Sequence, residues 1–439
     1  MRTLPRGASD TRKNMTDLLQ DGDRSSRFSA SGPLVWIAIV ALVYLLLLGV
    51  SIIGAGFKWV SGGAEGAEAI FAFASNPVAG VILGTLATAL VQSSSTVTSV
   101  IVGLVAGGVP VSLAVPMIMG ANMGTTITNT IVSLGNLRED NAFNRSFQAA
   151  TVHDFFNLFS ILIFLPIEIF FKPLERMAGS TAGWLVGGES ASMNELNFVG
   201  AITKPVAGWV VDQFRVLPDA VGGPLAIVVG IGCIIFSVIY LGKLLRGIMT
   251  GRAKGIMEKA VGRRKETGVL SGTVVTVLVQ SSSTTTSLIV PLAGAGLLTT
   301  RQVFPFTLGA NIGTCITALL AATSITGANE VFALQIALVH LFYNVIGVAL
   351  FLYVPWLHDL PIRSATWLGN LASRNRSWAF GYIFAIFFVL PGIVFAGELI
   401  WESQQDSATQ SIPLQESGQR IVGLDHWDGG MDVACPSIG

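Results

Sequence analysis

The stretch GVILGTLATALVQSSSTVTSV, residues 80–100, occurs a second time as GVLSGTVVTVLVQSSSTTTSL, residues 268–288. Fourteen of the 21 aligned positions are identical at an offset of 188 residues. An apolar-biased composition would give about two identities by chance. The chain therefore contains an internal duplication, and this duplication organises the fold.

Two further motifs recur at nearly the same offset. Gly-Ala-Asn-x-Gly-Thr stands at residues 120–125 and 309–314, and His-x-x-x-Asn stands at residues 153–157 and 340–344. The offset also places the first long apolar run, which begins at Pro33, over a run that begins near residue 222. Each half is therefore predicted to hold a leading helix, a Ser-rich element, a Gly-Ala-Asn element and a His-Asn helix.

Composition indicates a membrane protein. Of 439 residues, 51% are hydrophobic and only 12% are charged, against about a quarter charged in soluble domains. Residues 33–55, 69–137 and 267–300 contain no charge, and a membrane span needs about 20 apolar residues. Since 26 basic residues balance 26 acidic ones, there is no overall basic charge to attract nucleic acid. We predict an all-α polytopic membrane protein whose surroundings are the lipid bilayer.

Basic residues predict the orientation of the two halves. Six Lys and Arg precede the first apolar run, and eight follow its duplicate between Lys243 and Lys265. Basic loops stay in the cytoplasm, so the first run crosses outward and its duplicate crosses inward. The N-terminus is then cytoplasmic, and the halves are inverted-topology repeats in a multi-pass protein of the cell membrane, plasma or inner. Inverted repeats are typical of secondary transporters.

The predicted organisation has five parts. They are a cytoplasmic segment at residues 1–32, a first inverted repeat at 33–171, an external loop at 172–221, a second inverted repeat at 222–401 and a polar tail at 402–439.

The Gln-Ser-Ser-Ser motifs predict a broken helix in each half. Adjacent residues point about 100° apart on a helix, so three consecutive serines cannot share one packing face. The surrounding apolar stretch, residues 78–105 in the first half, suits a re-entrant helical hairpin better than one straight span. Helix tips there would present free N–H groups and hydroxyls, an anion site without Lys or Arg. Its candidate residues are Gln92, Ser93, Ser94, Ser95, Gln280, Ser281, Ser282 and Ser283.

Oxygen-rich elements beside these motifs predict cation sites. The Gly-Ala-Asn elements are expected to be locally unwound, with carbonyl and side-chain oxygens free to hold a monovalent cation; glycines that serve close helix packing are the alternative. Asp154 lies in a predicted span and is the carboxylate placed to attract a cation, unless it is protonated or lies at a helix end. His153 and His340 each precede an asparagine on the same helical face, and we expect hydrogen-bonded structural histidines rather than proton carriers.

An uncharged anion site requires a partner ion. Burying an ion in a medium of low dielectric is costly, so neutral donors alone hold an anion weakly. Cations on neighbouring oxygens would relieve that cost, and each ion would then strengthen binding of the other. This mutual dependence is the physical basis of symport.

The paired motifs and the segment ATVHDFFN, residues 150–157, resemble the type II sodium-dependent phosphate cotransporter family over about residues 33–401. The resemblance implies that both Gln-Ser-Ser-Ser motifs line a phosphate site. It also implies a secondary active symporter that imports HPO₄²⁻ with sodium by alternating access, and it implies no cofactor beyond Na⁺ as the coupling ion. The sodium sites it implies use Asp154, Asn157, Asn344, Asn122, Thr125, Asn311 and Thr314.

Two features place the chain within that family. Members with an acidic residue at the position of Asp154 are electrogenic, so the resemblance implies that net positive charge moves inward. Relatives with a large disulfide-bonded external loop have cysteines there, whereas residues 172–221 contain none. This favours a compact bacterial-type member.

Other classes of function fit parts of this pattern. An intramembrane serine hydrolase needs one nucleophile, but the serine motif is duplicated and no Gly-x-Ser-x-Gly elbow is present, so we expect no enzyme. A sodium-coupled carrier of another oxyanion, such as sulfate or a dicarboxylate, stays open, as does a passive channel. The sequence does not predict an oligomeric state.

Overall fold

The computed structural model describes residues 33–62, 64–70, 76–187, 191–260, 264–327, 329–393 and 396–397. These residues form helices and turns, and no strand occurs among them. The predicted cytoplasmic segment at residues 1–32 and the polar tail at 402–439 lie outside the described residues.

The first half consists of short helices between two long ones. In chain order they are α1 (Pro33–Ser61), α2 (Ala64–Ile70), α3 (Pro77–Val91), α4 (Ser94–Gly107), α5 (Val111–Thr125), α6 (Ile127–Ser133) and α7 (Asp140–Phe171).

The stretch predicted as an external loop contains two helices, α8 (Pro173–Gly187) and α9 (Ala191–Phe214). The side-chain amide of Gln335 donates to the Glu175 carbonyl of α8 at 2.9 Å, and the Tyr44 hydroxyl donates to the Ile202 carbonyl of α9 at 3.3 Å. The connection between the halves is therefore packed against helices of both.

The second half is also helical in its described residues. Its helices are α10 (Asp219–Ala260), α11 (Lys265–Val279), α12 (Ser282–Gly294), α13 (Thr300–Ala322), α14 (Glu330–Tyr353), α15 (Pro355–Arg374) and α16 (Ser377–Phe384), and a π-helical turn (Ala385–Val389) continues α16.

Within the described part of the chain, six helical segments are long and apolar enough to cross a membrane: Pro33–Ser61, Val111–Asn136, Asp140–Phe171, Asp219–Leu245, Thr300–Ala322 and Glu330–Tyr353. Large apolar side chains on their outer faces are exposed, such as Leu34 at 78% and Phe170 at 78%. Contiguous apolar exposure of this kind suits a hydrocarbon environment. The protein is an all-α, multi-pass membrane protein, as the sequence predicted.

The two leading helices, α1 and α10, pack antiparallel. Gly49 meets Gly230 so closely that a Cβ on Gly49 would lie 2.8 Å from the Gly230 carbonyl oxygen. Nearer the end of α1, the Trp59 indole donates to Asp219 at the start of α10, at 3.2 Å. Rising numbers on α1 therefore face falling numbers on α10. Small residues at the crossing allow the backbones to touch.

Each half also contains a pair of helices whose close packing depends on a glycine. A Cβ on Gly120 of α5 would lie 1.9 Å from the Val81 carbonyl oxygen of α3, and a Cβ on Gly309 of α13 would lie 1.9 Å from the Val269 carbonyl oxygen of α11. No side chain fits in either place. The Gly-Ala-Asn elements therefore bring their asparagines close to the Ser-rich helices.

The apolar core belongs to both halves together. Val50 of α1, Ile118 of α5 and Ile336 of α14 are all fully buried in one cluster. In a second cluster, the ring of Phe156 lies edge-on to Phe351 at 5.1 Å and to Phe304 at 6.2 Å. Neither half has a separate core.

Candidate functional site

The Ser-rich element of each half is a helix interrupted by two residues. In the first half, α3 ends at Val91, Gln92 takes a left-handed conformation with φ 56°, and α4 begins at Ser94. In the second half, Gln280 has φ 54° and α12 begins at Ser282. Left-handed backbone is uncommon for a residue with a side chain. Its occurrence at both glutamines gives the two breaks the same shape.

The serine that follows each glutamine caps the next helix. The Ser93 hydroxyl accepts a hydrogen bond from the Thr96 N–H at 3.2 Å, and the Ser281 hydroxyl accepts one from the Thr284 N–H at 3.2 Å. Each break therefore exposes a helix N-terminus with its positive dipole end. The serines of the first turn, Ser94, Ser95, Ser282 and Ser283, are buried.

The prediction that the Gly-Ala-Asn elements are unwound is wrong. Residues 120–124 lie within α5, and residues 309–313 lie within the continuous helix α13. The glycines serve the close helix contacts described above, which require regular backbone. In the first half the helix breaks only after the Gly-Ala-Asn element, at Thr126, between α5 and α6.

The asparagine of the first Gly-Ala-Asn element binds the His-Asn helix of the second half. Asn122 Oδ1 accepts from His340 Nε2 at 3.1 Å, and Asn122 Nδ2 donates to Asn344 Oδ1 at 3.1 Å. All three side chains are buried.

The second half makes the reciprocal connection. Asn311 Oδ1 accepts from His153 Nε2 at 2.7 Å, and Asn311 Nδ2 donates to Asn157 Oδ1 at 2.8 Å. Because Asn157 Nδ2 also donates to the Asn122 carbonyl at 2.9 Å, the two connections form one network. Each half thus supplies an asparagine that links the histidine and asparagine of the other, and both histidines are hydrogen-bonded.

The network extends further on the side of the first half. Asn129 Nδ2 lies 3.5 Å from His153 Nδ1, and Asn129 Oδ1 accepts from the Thr286 hydroxyl of α12 at 2.7 Å. The second half has Ala318 where the first has Asn129, and His340 Nδ1 is buried without a hydrogen-bond partner.

Asp154 is fully buried beside this network. Its Oδ2 accepts from the Thr130 hydroxyl at 3.0 Å and from the Tyr382 hydroxyl at 3.1 Å. Its Oδ1 is buried without a hydrogen-bond partner. Among the described residues, Asp154 makes no salt bridge within 4.0 Å.

Three of the polar residues just described have apolar counterparts in the second half. At the equivalent positions the second half is apolar throughout: Asn129, Thr130 and Asp154 correspond to Ala318, Leu319 and Leu341.

The remaining candidate residues lie around the network. The Thr125 and Thr314 hydroxyls donate to carbonyls one turn back, at 3.0 and 3.1 Å. The Ser283 hydroxyl donates to the Thr125 carbonyl at 3.4 Å, which joins the second serine motif to the first Gly-Ala-Asn element. Gln280 Oε1 accepts from the Thr317 hydroxyl at 2.9 Å, whereas the Gln92 side chain is exposed.

The C-terminal end of each Ser-rich helix, α4 and α12, is hydrogen-bonded to the other half. Arg145, near the start of α7, donates from Nε and Nη2 to the Gly294 carbonyl at 3.0 and 2.7 Å. Asn329, before α14, donates to the Ala106 carbonyl at 2.7 Å. Residues 106 and 294 are separated by the repeat offset of 188, so the two contacts are equivalent in position. The donor to Gly294 is a charged guanidinium, whereas the donor to Ala106 is a neutral amide.

Sequence reasoning did not assign Asn129, Thr130, Thr286 or Tyr382 to the site. A comparison of the two halves would have marked Asn129 and Thr130, because their counterparts are apolar. Tyr382 follows the duplicated motifs and carries no motif of its own.

Chemically, the site combines uncharged hydrogen-bond donors at two helix N-termini with buried amide oxygens and one carboxylate. This combination can bind an anion and a hard monovalent cation. The fold and site define a polytopic membrane protein with a shared, buried, almost uncharged polar centre.

Sequence comparisons identify its relatives. A family model described as Na⁺/Pi-cotransporter matches residues 45–183 and 233–359. The chain belongs to this family, whose members are cotransporters rather than enzymes, and its curated homologues are of the type II sodium-phosphate group.

Two relatives illustrate the similarity. Sodium-dependent phosphate transport protein 2B of Homo sapiens is 31% identical over 82% of this chain and 64% of its own length. Sodium-dependent phosphate transport protein 2A of Rattus norvegicus is 32% identical over 81% of this chain and 66% of its own length. The chain thus spans just under two thirds of the length of these relatives. No solved structure matches the chain.

Proposed function

We propose that the protein is a secondary active symporter that imports inorganic phosphate with sodium, by alternating access and with net inward movement of positive charge. The observation that carries the proposal is the equivalent break at the two Gln-Ser-Ser-Ser motifs, which turns two helix N-termini and their serines towards a buried centre in a member of a cotransporter family.

Phosphate is proposed to bind at these two breaks. Free N–H groups and hydroxyls bind an oxyanion without a fixed positive charge. The candidate ligands are Gln92, Ser93, Ser94, Ser95, Gln280, Ser281, Ser282 and Ser283. The names of the relatives, sodium-dependent phosphate transport proteins, support phosphate over other oxyanions.

Sodium is proposed to bind among the buried oxygens of the network, as the coupling ion. The unpartnered Oδ1 of Asp154 supports a cation there, since an unpaired buried carboxylate oxygen is costly unless something binds it. The other proposed ligands are Asn157, Asn344, Asn122, Thr125, Asn311 and Thr314.

Coupling would follow from the contact between the two kinds of site. Ser283 of the serine motif is bonded to Thr125 of the Gly-Ala-Asn element, so a cation near Thr125 and an anion at Ser283 would be close neighbours. Opposite charges that share a low-dielectric environment strengthen each other's binding. This mutual dependence prevents either ion from crossing efficiently alone.

Alternating access is proposed to move the two inverted repeats relative to each other. The antiparallel packing of α1 and α10 supports the inversion, as does the match of one family model to two stretches of the chain. The contacts of Arg145 with Gly294 and of Asn329 with Ala106 lie at the C-terminal ends of the two Ser-rich helices. The proposed inversion places these ends on opposite sides of the membrane, and the contacts would be released in turn. We place the protein in the cell membrane with its N-terminus in the cytoplasm.

The test is uptake of ³²P-labelled phosphate into proteoliposomes under an inward sodium gradient, compared with an equal potassium gradient. We expect accumulation above equilibrium with sodium only. Uptake that proceeds equally with potassium would indicate a channel. Accumulation of sulfate or a dicarboxylate in place of phosphate would overturn the choice of substrate.

A further inference from the structure

Tyr382 contacts Asp154 although it lies outside both sets of duplicated motifs. It lies on α16, beyond the second stretch matched by the family model, residues 233–359. Its hydroxyl donates to Asp154 Oδ2 at 3.1 Å, and the Thr130 hydroxyl donates to the same oxygen at 3.0 Å. One carboxylate oxygen thus has two donors.

The other oxygen of that carboxylate has none. Oδ1 of Asp154 is buried and accepts no hydrogen bond. Two donors on Oδ2 fix the rotation of the carboxylate, so Oδ1 points in one direction. A hard cation prefers such oxygen ligands, and Oδ1 is the carboxylate oxygen without a hydrogen bond.

The tyrosine ring is itself firmly held. It lies 6.0 Å from the ring of Phe155 and 6.5 Å from the ring of Phe147, both on α7. At the start of α16, the Arg376 guanidinium lies 4.2 Å from the centre of the Phe143 ring and bonds the Asp140 carboxylate. Contacts at both places join α16 to the helix that carries Asp154.

The backbone changes directly after the tyrosine. Residues 385–389 form a π-helical turn, and such turns occur often at functional sites. Tyr382 thus stands at the last regular turn before the helix widens, one helical turn from the irregular backbone.

We propose that Tyr382 is a positioning residue for the coupling cation: its hydroxyl orients the Asp154 carboxylate so that Oδ1 faces the ion. This inference rests on the proposed function in taking Asp154 as a cation ligand. The serine motifs and the asparagine network are not involved, so phosphate binding at saturating sodium should be unaffected.

The first experiment measures the sodium concentration that gives half-maximal phosphate uptake. In Tyr382→Phe the ring contacts remain and only the hydroxyl is lost. A hydrogen bond to a charged group is worth about a tenfold change in an equilibrium. We expect the half-activating sodium concentration to rise about tenfold, with the maximal rate and the apparent KM for phosphate at saturating sodium within about twofold of wild type.

Tyr44→Phe is the matched control. It also removes a tyrosine hydroxyl that donates one hydrogen bond, to the Ile202 carbonyl at 3.3 Å, but it lies on α1, away from Asp154. We expect no change in sodium activation. An equal shift in this variant would show that any lost tyrosine bond alters sodium dependence, and it would overturn the proposal.

A double variant tests whether Tyr382 acts through Asp154. In an Asp154→Gly background, Tyr382→Phe should change sodium activation by less than about twofold. A tenfold change that persists in that background, or the absence of any change in the wild-type background, would overturn the positioning role.

A second measurement does not depend on transport. Purified protein is titrated with NaCl at constant ionic strength, made up with choline chloride, and its melting temperature is followed without phosphate. Tyr382→Phe should move the midpoint of the sodium-dependent stabilisation about tenfold upward. If wild type accumulates no phosphate but Tyr382→Phe still moves the sodium midpoint upward, only the proposed function fails. If sodium does not stabilise wild type, the Tyr382 proposal fails.

Discussion

The first and second halves of the molecule share several structural features but not all of their chemistry. Both break a helix at Gln-Ser, both pack a Gly-Ala-Asn helix against the Ser-rich element, and both send an asparagine across to the histidine of the other half. Only the first half adds Asn129, Thr130 and Asp154, whose counterparts are Ala318, Leu319 and Leu341.

Under the proposed function, this difference separates the binding of the anion from the binding of the additional cation. What the halves share builds a symmetric frame around the serine motifs, which suits an anion bound between them. What they do not share provides one carboxylate with hydroxyl donors in one half only. A duplicated scaffold can thus bind the anion with both halves while the additional cation site evolves in one.

The largest effect is expected where the halves are most alike. Gly120→Ala and Gly309→Ala each place a methyl group 1.9 Å from a backbone carbonyl oxygen, so two helices must separate. We expect each to destabilise the folded protein by about 3 kcal/mol, measured as a lower melting temperature in detergent and a lower yield of monodisperse protein.

Gly232→Ala provides the control, because nothing lies within 4 Å of an added Cβ there. It should leave the melting temperature unchanged or raise it slightly. If Gly309→Ala were as harmless as Gly232→Ala, the close packing described for the second half would be incorrect.

A smaller effect is expected from the crossed asparagines. Asn122→Ala removes the partners of His340 Nε2 and Asn344 Oδ1, and Asn311→Ala removes those of His153 Nε2 and Asn157 Oδ1. Each leaves two buried polar groups unpaired, at a cost of about 1–3 kcal/mol. The two variants should lower the melting temperature by similar amounts. A large effect from one and none from the other would refute the reciprocal arrangement.

The smallest effect is expected from Asn129→Ala, which copies Ala318 of the second half into the first. It removes the bonds of Asn129 to Thr286, Ser287 and His153, yet the second half tolerates an unpaired His340 Nδ1. We expect a loss of about 0.5–1 kcal/mol in thermal stability. A loss as large as that of Asn311→Ala would mean that Asn129 stabilises the fold as much as the asparagines that both halves share.

The sequence predicted the membrane spans and the duplicated motifs better than the contacts within the site. Apolar runs and repeated motifs are local signals, so they locate the spans and the two serine motifs without any knowledge of tertiary contacts. The repeat offset, 187 residues at this motif, also placed His153 and His340, with their asparagines, at equivalent positions.

The contacts between halves could not be predicted in the same way. Asn122 and His340 are 218 residues apart, and a shared helical face does not indicate the partner. Glycines in the Gly-Ala-Asn elements fit either unwinding or close packing, and the unwound interpretation was wrong because the neighbouring helix occupies the space of the missing side chains. Tyr382 had no local signal, since one tyrosine in an apolar helix is ordinary.

The central claim, that the first half alone supplies a charged cation site, is tested most directly by the voltage dependence of phosphate uptake in proteoliposomes. A potassium diffusion potential, negative inside, should accelerate sodium-driven uptake by wild type. Asp154→Gly should still accumulate phosphate, but at the same rate with and without the potential. An Asp154→Gly protein that accelerates as wild type does would contradict the account.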